Sequence, residues 1–247
     1  MKNRFALAAA VAGLLVTSYA VSLGAQAVPP DIQAAVQDPN RPKADTDRDA
    51  ARHPAQMLMA SGVKQGDKVV ELSPGGGYMS RLFSKLAGPS GHVYAANLPT
   101  FNERYAAGPI AVSKEPGYMN VSVVTQPYEM LKLPEPVDVV WTSENYHDFQ
   151  NMGMFKTDTA AMDKAIFAAL KPGGLFIVTD YVGEAGSGKR DTQSLHRIDP
   201  NVIKQEVAAA GFVLETESNV LANPSDDHKG RSAQGADQVF YKFRKPR

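Results

Sequence analysis

The sequence predicts an α/β fold: a doubly wound, mostly parallel seven-stranded sheet with an antiparallel strand near one end. Three observations carry this expectation. Short apolar runs alternate with helical patterns along most of the chain, which is the signature of a parallel sheet built from crossover units. The runs themselves, such as KVVEL, VDVVWT and LFIVT, are continuous rather than alternating, as suits strands covered by helices on both faces. The last two strand-like runs have no clear helix between them, so they are expected to pair as a hairpin at one end of the sheet.

Along the chain, Lys2 and Arg4 precede a mostly apolar stretch that ends in Ala25-Gln26-Ala27. A basic start, an apolar middle and a small-x-small site describe an export signal over residues 1–27, with an uncleaved membrane anchor as the alternative. The expected destination is periplasmic or secreted, without stable membrane association after cleavage. Residues 28–52, rich in Pro, Asp, Arg and Gln, read as an extended arm. Residues 53–247 form the single domain. RHPAQMLMASG reads as a short helix with Pro54 near its start and Gly62 at its end. Lys68–Leu72 is the first strand and Tyr78–Leu86 the helix after it. Gly91–Asn97, Val121–Thr125 and Val137–Thr142 are the next three strands. Asp158–Leu170 has helical apolar spacing, and Lys171-Pro172-Gly173-Gly174 is expected to stop it with a left-handed glycine cap. Leu175–Thr179 is the fifth strand, Pro200–Ala210 a helix, and Phe212–Glu217 and Val239–Phe243 the final pair.

Composition narrows the chemistry. Lysine and arginine together number 26, as do aspartate and glutamate. A near-neutral chain without basic runs argues against a nucleic-acid partner. There is no cysteine, which removes disulfides, thiolate catalysis and thiolate metal sites.

The stretch VVELSPGGGYMS places Ser73-Pro74-Gly75-Gly76-Gly77 at the carboxyl end of the first strand, where doubly wound sheets bind ligands. Glycines let backbone approach a ligand, and the helix beginning at Tyr78 offers free N–H groups to an anionic group. A phosphate loop needs Lys followed by Ser or Thr after the glycines, and none follows. The G-x-G-x-x-G spacing of dinucleotide binders is also missing. What remains is Glu71, Ser73, Gly75 and Gly77 at every second position.

This pattern resembles motif I of the class I S-adenosylmethionine (SAM)-dependent methyltransferases, acidic-x-Gly-x-Gly-x-Gly, with Ser73 in place of the first glycine. DVV at 138–140 and LKPGGLFIVTD at 170–180 resemble the family's fourth and fifth strands. RDAARHPAQMLMASGV, ENYHDF, LHRIDPNVIKQEVAAAGF, NPSDDH and DQVFYKFRKP resemble blocks of a group of predicted methyltransferases that carry export signals. The resemblance spans nearly all of residues 48–246. It implies a Rossmann-like sheet, SAM as cofactor and a small-molecule acceptor. It also implies that Glu71, Ser73, Gly75, Gly76 and Gly77 hold the cofactor; Tyr78, just after the glycines, either covers the cofactor or packs in the core. The usual ribose-binding acid at the end of the second strand is replaced by Asn97, and Asn145 lies in the loop that faces cofactor and acceptor.

That loop, Thr142–Asp148, carries the catalytic candidates. His147 titrates near neutral pH in isolation and can serve as a base for a protonated acceptor, with Asp148 or Glu144 assisting; the alternative is that His147 and Asp148 tie the loop to its neighbours. Asp226-Asp227-His228 and His196-Arg197 are further polar clusters. A metal at the first would need help from elsewhere, such as His147, so no metal ligand is assigned. Gly183–Ser187 reads as a loop where a lid would attach. Arg48, Arg52 and His53 either fold over the cofactor site or pair with acids such as Asp49. Trp141 is expected in the core. Two other functions stay open on sequence alone: a non-catalytic exported binding protein, and a metal-dependent hydrolase using Asp226–His228.

Overall fold

The computed structural model describes residues 27–247; the expected export signal falls, up to residue 26, outside them. The centre is a seven-stranded sheet of β1 (Lys68–Leu72), β2 (His92–Asn97), β3 (Val121–Thr125), β4 (Val137–Ser143), β5 (Leu170–Tyr181), β6 (Val213–Ser218) and β7 (Gln238–Arg244). Their spatial order is β3-β2-β1-β4-β5-β7-β6. The first five strands run parallel, and β7 lies antiparallel between β5 and β6. The expected fold class is therefore observed, and the terminal hairpin is placed with its second strand inside the sheet.

Successive side chains of a strand leave the sheet on opposite faces, and two cores result. Val69 and Val139 join one core with Leu58, Leu82 and Phe83. Val70 and Val140 join the other with Ile166, Ile203 and Val207. The first core packs α1 (Pro30–Val36), α4 (Pro54–Ser61) and α5 (Tyr78–Ala87) against the sheet; the second packs α8 (Thr159–Ala169) and α9 (Pro200–Ala209). Trp141 is fully buried between Phe83 and Phe240, with ring centroids 5.2 and 5.8 Å away.

Three local expectations are corrected. Residues 30–52 are not extended: α1, α2 (Lys43–Thr46) and α3 (Asp49–Arg52) fold there. Ile32 and Ala35 seat α1 in the first core, and polar ties hold the rest of the arm. Asp45 pairs with Arg81 at 3.0 Å, and Tyr118 donates to Asp38 at 2.8 Å. Second, α8 ends at Ala169 without a left-handed glycine cap, and β5 begins at Leu170. Lys171 precedes Pro172, which pushes it out of the helical region, and Leu170 already pairs with Val137. Third, an unforeseen helix, α6 (Glu103–Val112), stands between β2 and β3. Pro109 and Gly108 hide its pattern from a propensity reading.

Strand order reverses between β1 and β4, so their carboxyl ends flank the crevice where ligands bind in such sheets. Leu72 pairs with Thr142, which brings the turn after β1 beside the loop after β4.

Candidate cofactor cleft and the loop after the fourth strand

The turn is built for closeness. Gly75 and Gly77 both have positive φ, 57° and 83°. A side chain at Gly77 would meet Val112 Cγ2 at 2.4 Å, whereas the space beside Gly75 and Gly76 is open. Gly77 is thus fixed by packing against α6, and the open side of the turn belongs to Gly75 and Gly76. Gly108 of α6 passes over the turn so closely that a Cβ there would lie 2.0 Å from the Gly75 carbonyl oxygen. Ser73, at the departure from the motif, also has positive φ, 52°. Its strain is offset by Tyr128, whose hydroxyl accepts from Ser73 N at 2.9 Å, contacts Ser73 Oγ at 3.0 Å and donates to the Ala96 carbonyl at 2.7 Å.

The cleft holds about 150 Å³ and is lined by Arg48, Arg52, Glu71, Gly75, Ser143 and Asn145, among others. A larger concavity of about 820 Å³ runs along β6 and β7 and includes no residue of the glycine turn; its size reflects an open sheet edge, and the smaller cleft is the one at the strand-order reversal. Glu71 is buried and accepts from Ser80 Oγ. Burial pushes its carboxyl up to about 8, against the lowering effects of Ser80 and Arg52. Asn145 donates to the Ser73 and Ser143 carbonyls at 3.3 and 2.5 Å, so it laces the two loops together. Asn97 ends β2 fully buried, and among the described residues neither its Oδ1 nor its Nδ2 has a partner. An orphaned buried amide costs free energy unless something else satisfies it; the Asn97 amide lies beneath the surface, behind the residues that line the cleft.

The arm closes one wall. Tyr78 donates to Asp49 at 2.7 Å, and the guanidinium carbons of Arg41, Arg48 and Arg52 lie 5.3, 4.9 and 4.9 Å from its ring centre. Tyr78 therefore anchors the arm. Arg48 pairs with Asp45, Arg41 with Asp49, and Arg52 with Glu144. Glu144 itself sits at positive φ, 59°, and faces this wall. His53 is exposed and stands apart.

His147, on the short helix α7 (Tyr146–Phe149), goes elsewhere. It is buried, and its Nδ1 lies 2.7 Å from Oδ1 of Asp180, whose Oδ2 accepts from His147 N at 2.7 Å. Its Nε2 lies 3.0 Å from His196 Nδ1 and 3.3 Å from Asp148 Oδ1. Burial alone would lower its pKa, but Asp180 and Asp148 reverse this and raise it to about 10. With that proton held and both nitrogens engaged, the imidazole is not a free base. Asp180 was not foreseen, although an acid closing the run LFIVT is a visible signal.

The other clusters disperse. Asp226 takes Arg197 at 2.9 Å, and His228 Nε2 meets Asp237 at 2.9 Å; Asp227 accepts from the Lys229 backbone. These three do not converge on a centre. The 183–187 loop is tied down by Gly183 N to Ile198 O and Gly186 N to Asp199 Oδ2, both 2.8 Å.

An α/β sheet with this strand order and a glycine turn after β1 places a ligand cleft at the strand-order reversal. No protein-family model matches the chain. The ubiquinone/menaquinone biosynthesis C-methyltransferase UbiE of Yersinia pestis (strain Pestoides F) is 30% identical over 202 residues, covering 69% of this chain and 76% of that protein. A protein-L-isoaspartate O-methyltransferase of Ignicoccus hospitalis is 38% identical over 71 residues, and there the chain spans only 32% of the relative's length. The crystal structure of a SAM-dependent methyltransferase from Aquifex aeolicus superposes with a TM-score of 0.57 at 17% identity, over 82% of this chain and 97% of that one; it shares the fold. The chain belongs to the class I SAM-dependent methyltransferases, whose methyl donor is SAM.

Proposed function

We propose that this protein transfers the methyl group of SAM to a small-molecule acceptor, and that it does so after export. The observation that carries the reading is the cleft between the turn after β1 and the loop after β4, with buried Glu71 below, the open side of Gly75 and Gly76 beside it and Arg52 on its wall. When bound, SAM supplies an electrophilic methyl on a sulfonium. In this reading Glu71 receives the α-ammonium of SAM, and Arg52 and Arg48 its α-carboxylate. Ser73, Gly75, Gly76 and Gly77 shape the floor. Tyr78 lines the cleft and also fixes the arm. Asn145 and Glu144 hold the loop from which an acceptor would be approached, and catalysis rests mainly on positioning. The Yersinia relative acts in ubiquinone/menaquinone biosynthesis, which supports a small acceptor over a macromolecule.

Calorimetric titration with SAM and with S-adenosylhomocysteine tests the cofactor site: saturable binding of one equivalent is expected, and no binding of either sinks the proposal. Mass spectrometry of protein recovered from outside the cytosol tests export. Its first residue is expected to be Val28; an intact Met1 would overturn cleavage there.

A further inference from the structure

Three ligand-type atoms converge beside the β5 carboxyl end: His147 Nε2, His196 Nδ1 and Asp148 Oδ1. Their mutual separations are 3.0, 3.3 and 3.3 Å, and they form a group able to hold a metal ion. Bonds of about 2.1 Å to one cation leave neighbouring ligand atoms roughly 3.0–3.4 Å apart, in tetrahedral or octahedral arrangement. The triangle already has that size. We propose that it is a binding site for one divalent first-row transition metal.

The surroundings are those of a built site. Metal-bound histidines commonly give their other ring nitrogen to a carboxylate, which fixes the ring and strengthens the ligand. Asp180 does this for His147 at 2.7 Å, and its other oxygen is held by the His147 backbone N–H. Asp180 and His147 are both buried. Asn151 donates to Asp148 Oδ1 at 3.2 Å and to the Thr192 carbonyl at 3.2 Å, so the carboxylate is oriented from behind. Asp148 and His196 retain 16% and 27% side-chain exposure. This leaves a way in for the ion and room for one or more water ligands, as in open rather than closed metal sites. Two imidazoles and one carboxylate favour zinc, iron, cobalt or manganese over calcium or magnesium. Charge also balances: a dication meets two carboxylates, Asp148 and Asp180, and the Nε2 proton of His147 leaves to solvent on binding.

The site is independent of the cofactor cleft, which uses none of its three ligands. The test is titration of chelator-treated, dialysed full-length protein with Co²⁺ and Zn²⁺. One equivalent of Co²⁺ is expected to bind with visible d–d absorption, and Zn²⁺ to displace it. His196→Ala and Asp148→Ala alter partly exposed side chains, and circular dichroism checks that both remain folded. Each should bind Co²⁺ at least tenfold more weakly, and Asp180→Asn roughly 10–100-fold more weakly. Absence of stoichiometric binding by the folded wild type overturns the proposal. So does wild-type affinity in both folded alanine variants. SAM titration of the same samples reads the cofactor cleft separately.

Discussion

Arg52 Nη2 donates a 2.6 Å hydrogen bond to Glu144 Oε2, joining two residues 92 positions apart across the cleft. Both side chains are largely buried, at 20% and 22% exposure. If Arg52 serves the α-carboxylate of the ligand, Glu144 competes for it. Arg52→Ala should therefore weaken S-adenosylhomocysteine binding at least tenfold, about 1.4 kcal/mol, whereas Glu144→Gln should strengthen it. Calorimetry measures both, and changes of the same sign would contradict the competition.

Glu71 carries a pH signature. Its carboxyl titrates at about 8 in the fold, against 4.5 ordinarily. The folded state holds a proton that the unfolded chain has released, so this group's stabilisation is complete below pH 4.5 and is lost as pH rises toward 8. Glu71→Gln, which cannot ionise, should melt higher than wild type at pH 8.5, and the advantage should shrink to nothing near pH 4.5. At pH 8.5, where wild-type Glu71 is largely ionised, the same variant should bind SAM more weakly, because the ammonium then meets no carboxylate.

Two glycines of the turn should separate stability from binding. Gly77→Ala forces a Cβ against Val112 at positive φ, and should cost about 2 kcal/mol or more in denaturant unfolding. Gly75→Leu meets open space; it should cost only about 1–2 kcal/mol for the backbone while abolishing SAM binding. A folded Gly75→Leu protein with normal affinity would remove Gly75 from the site.

Much of this was legible in the sequence. Runs such as Val69–Leu72 and Val137–Thr142 announce buried strands because both faces of each are covered, and the turn at 73–77 announces the ligand edge of the sheet. What was not legible depends on partners distant in the chain. Nothing near Lys43–Arg52 signals its short helices, since Arg81 and Tyr78 hold them in place. The sequence leaves His147 open between a base and a tie to its neighbours, and only the fold brings Asp180 and His196 to its ring. Ser73 looked like a defect in the motif until Tyr128 supplied its hydroxyl partner.

A second buried acid belongs to the scaffold. Tyr146 Oη lies 2.9 Å from Asp163 Oδ2 and 3.0 Å from Glu206 Oε2, yet a phenol has one proton to give. Burial pushes Asp163 up to about 8, so at neutral pH it donates to Tyr146, which donates to Glu206. Asp163→Asn keeps a donor there and should unfold within about 0.5 kcal/mol of wild type at pH 6, whereas Asp163→Ala should lose about 1–3 kcal/mol. Urea unfolding distinguishes the two; equal losses would refute the shared-proton arrangement.

The antiparallel strand β7 sets the order in which the molecule can form. It is the last strand among the described residues, yet it fills an interior position, with β5 on one side and β6 on the other. Until residues 238–244 arrive, β5 and β6 each present an unpaired edge able to recruit strands from other chains. Closure pairs Leu175 with Arg244, a contact of high sequence separation that slows folding. A nascent polypeptide that has not yet reached residues 238–244 lacks the piece that completes its sheet. Completion of the sheet waits for residues 238–244, which leaves an interval in which a chaperone can engage the unpaired edges of β5 and β6.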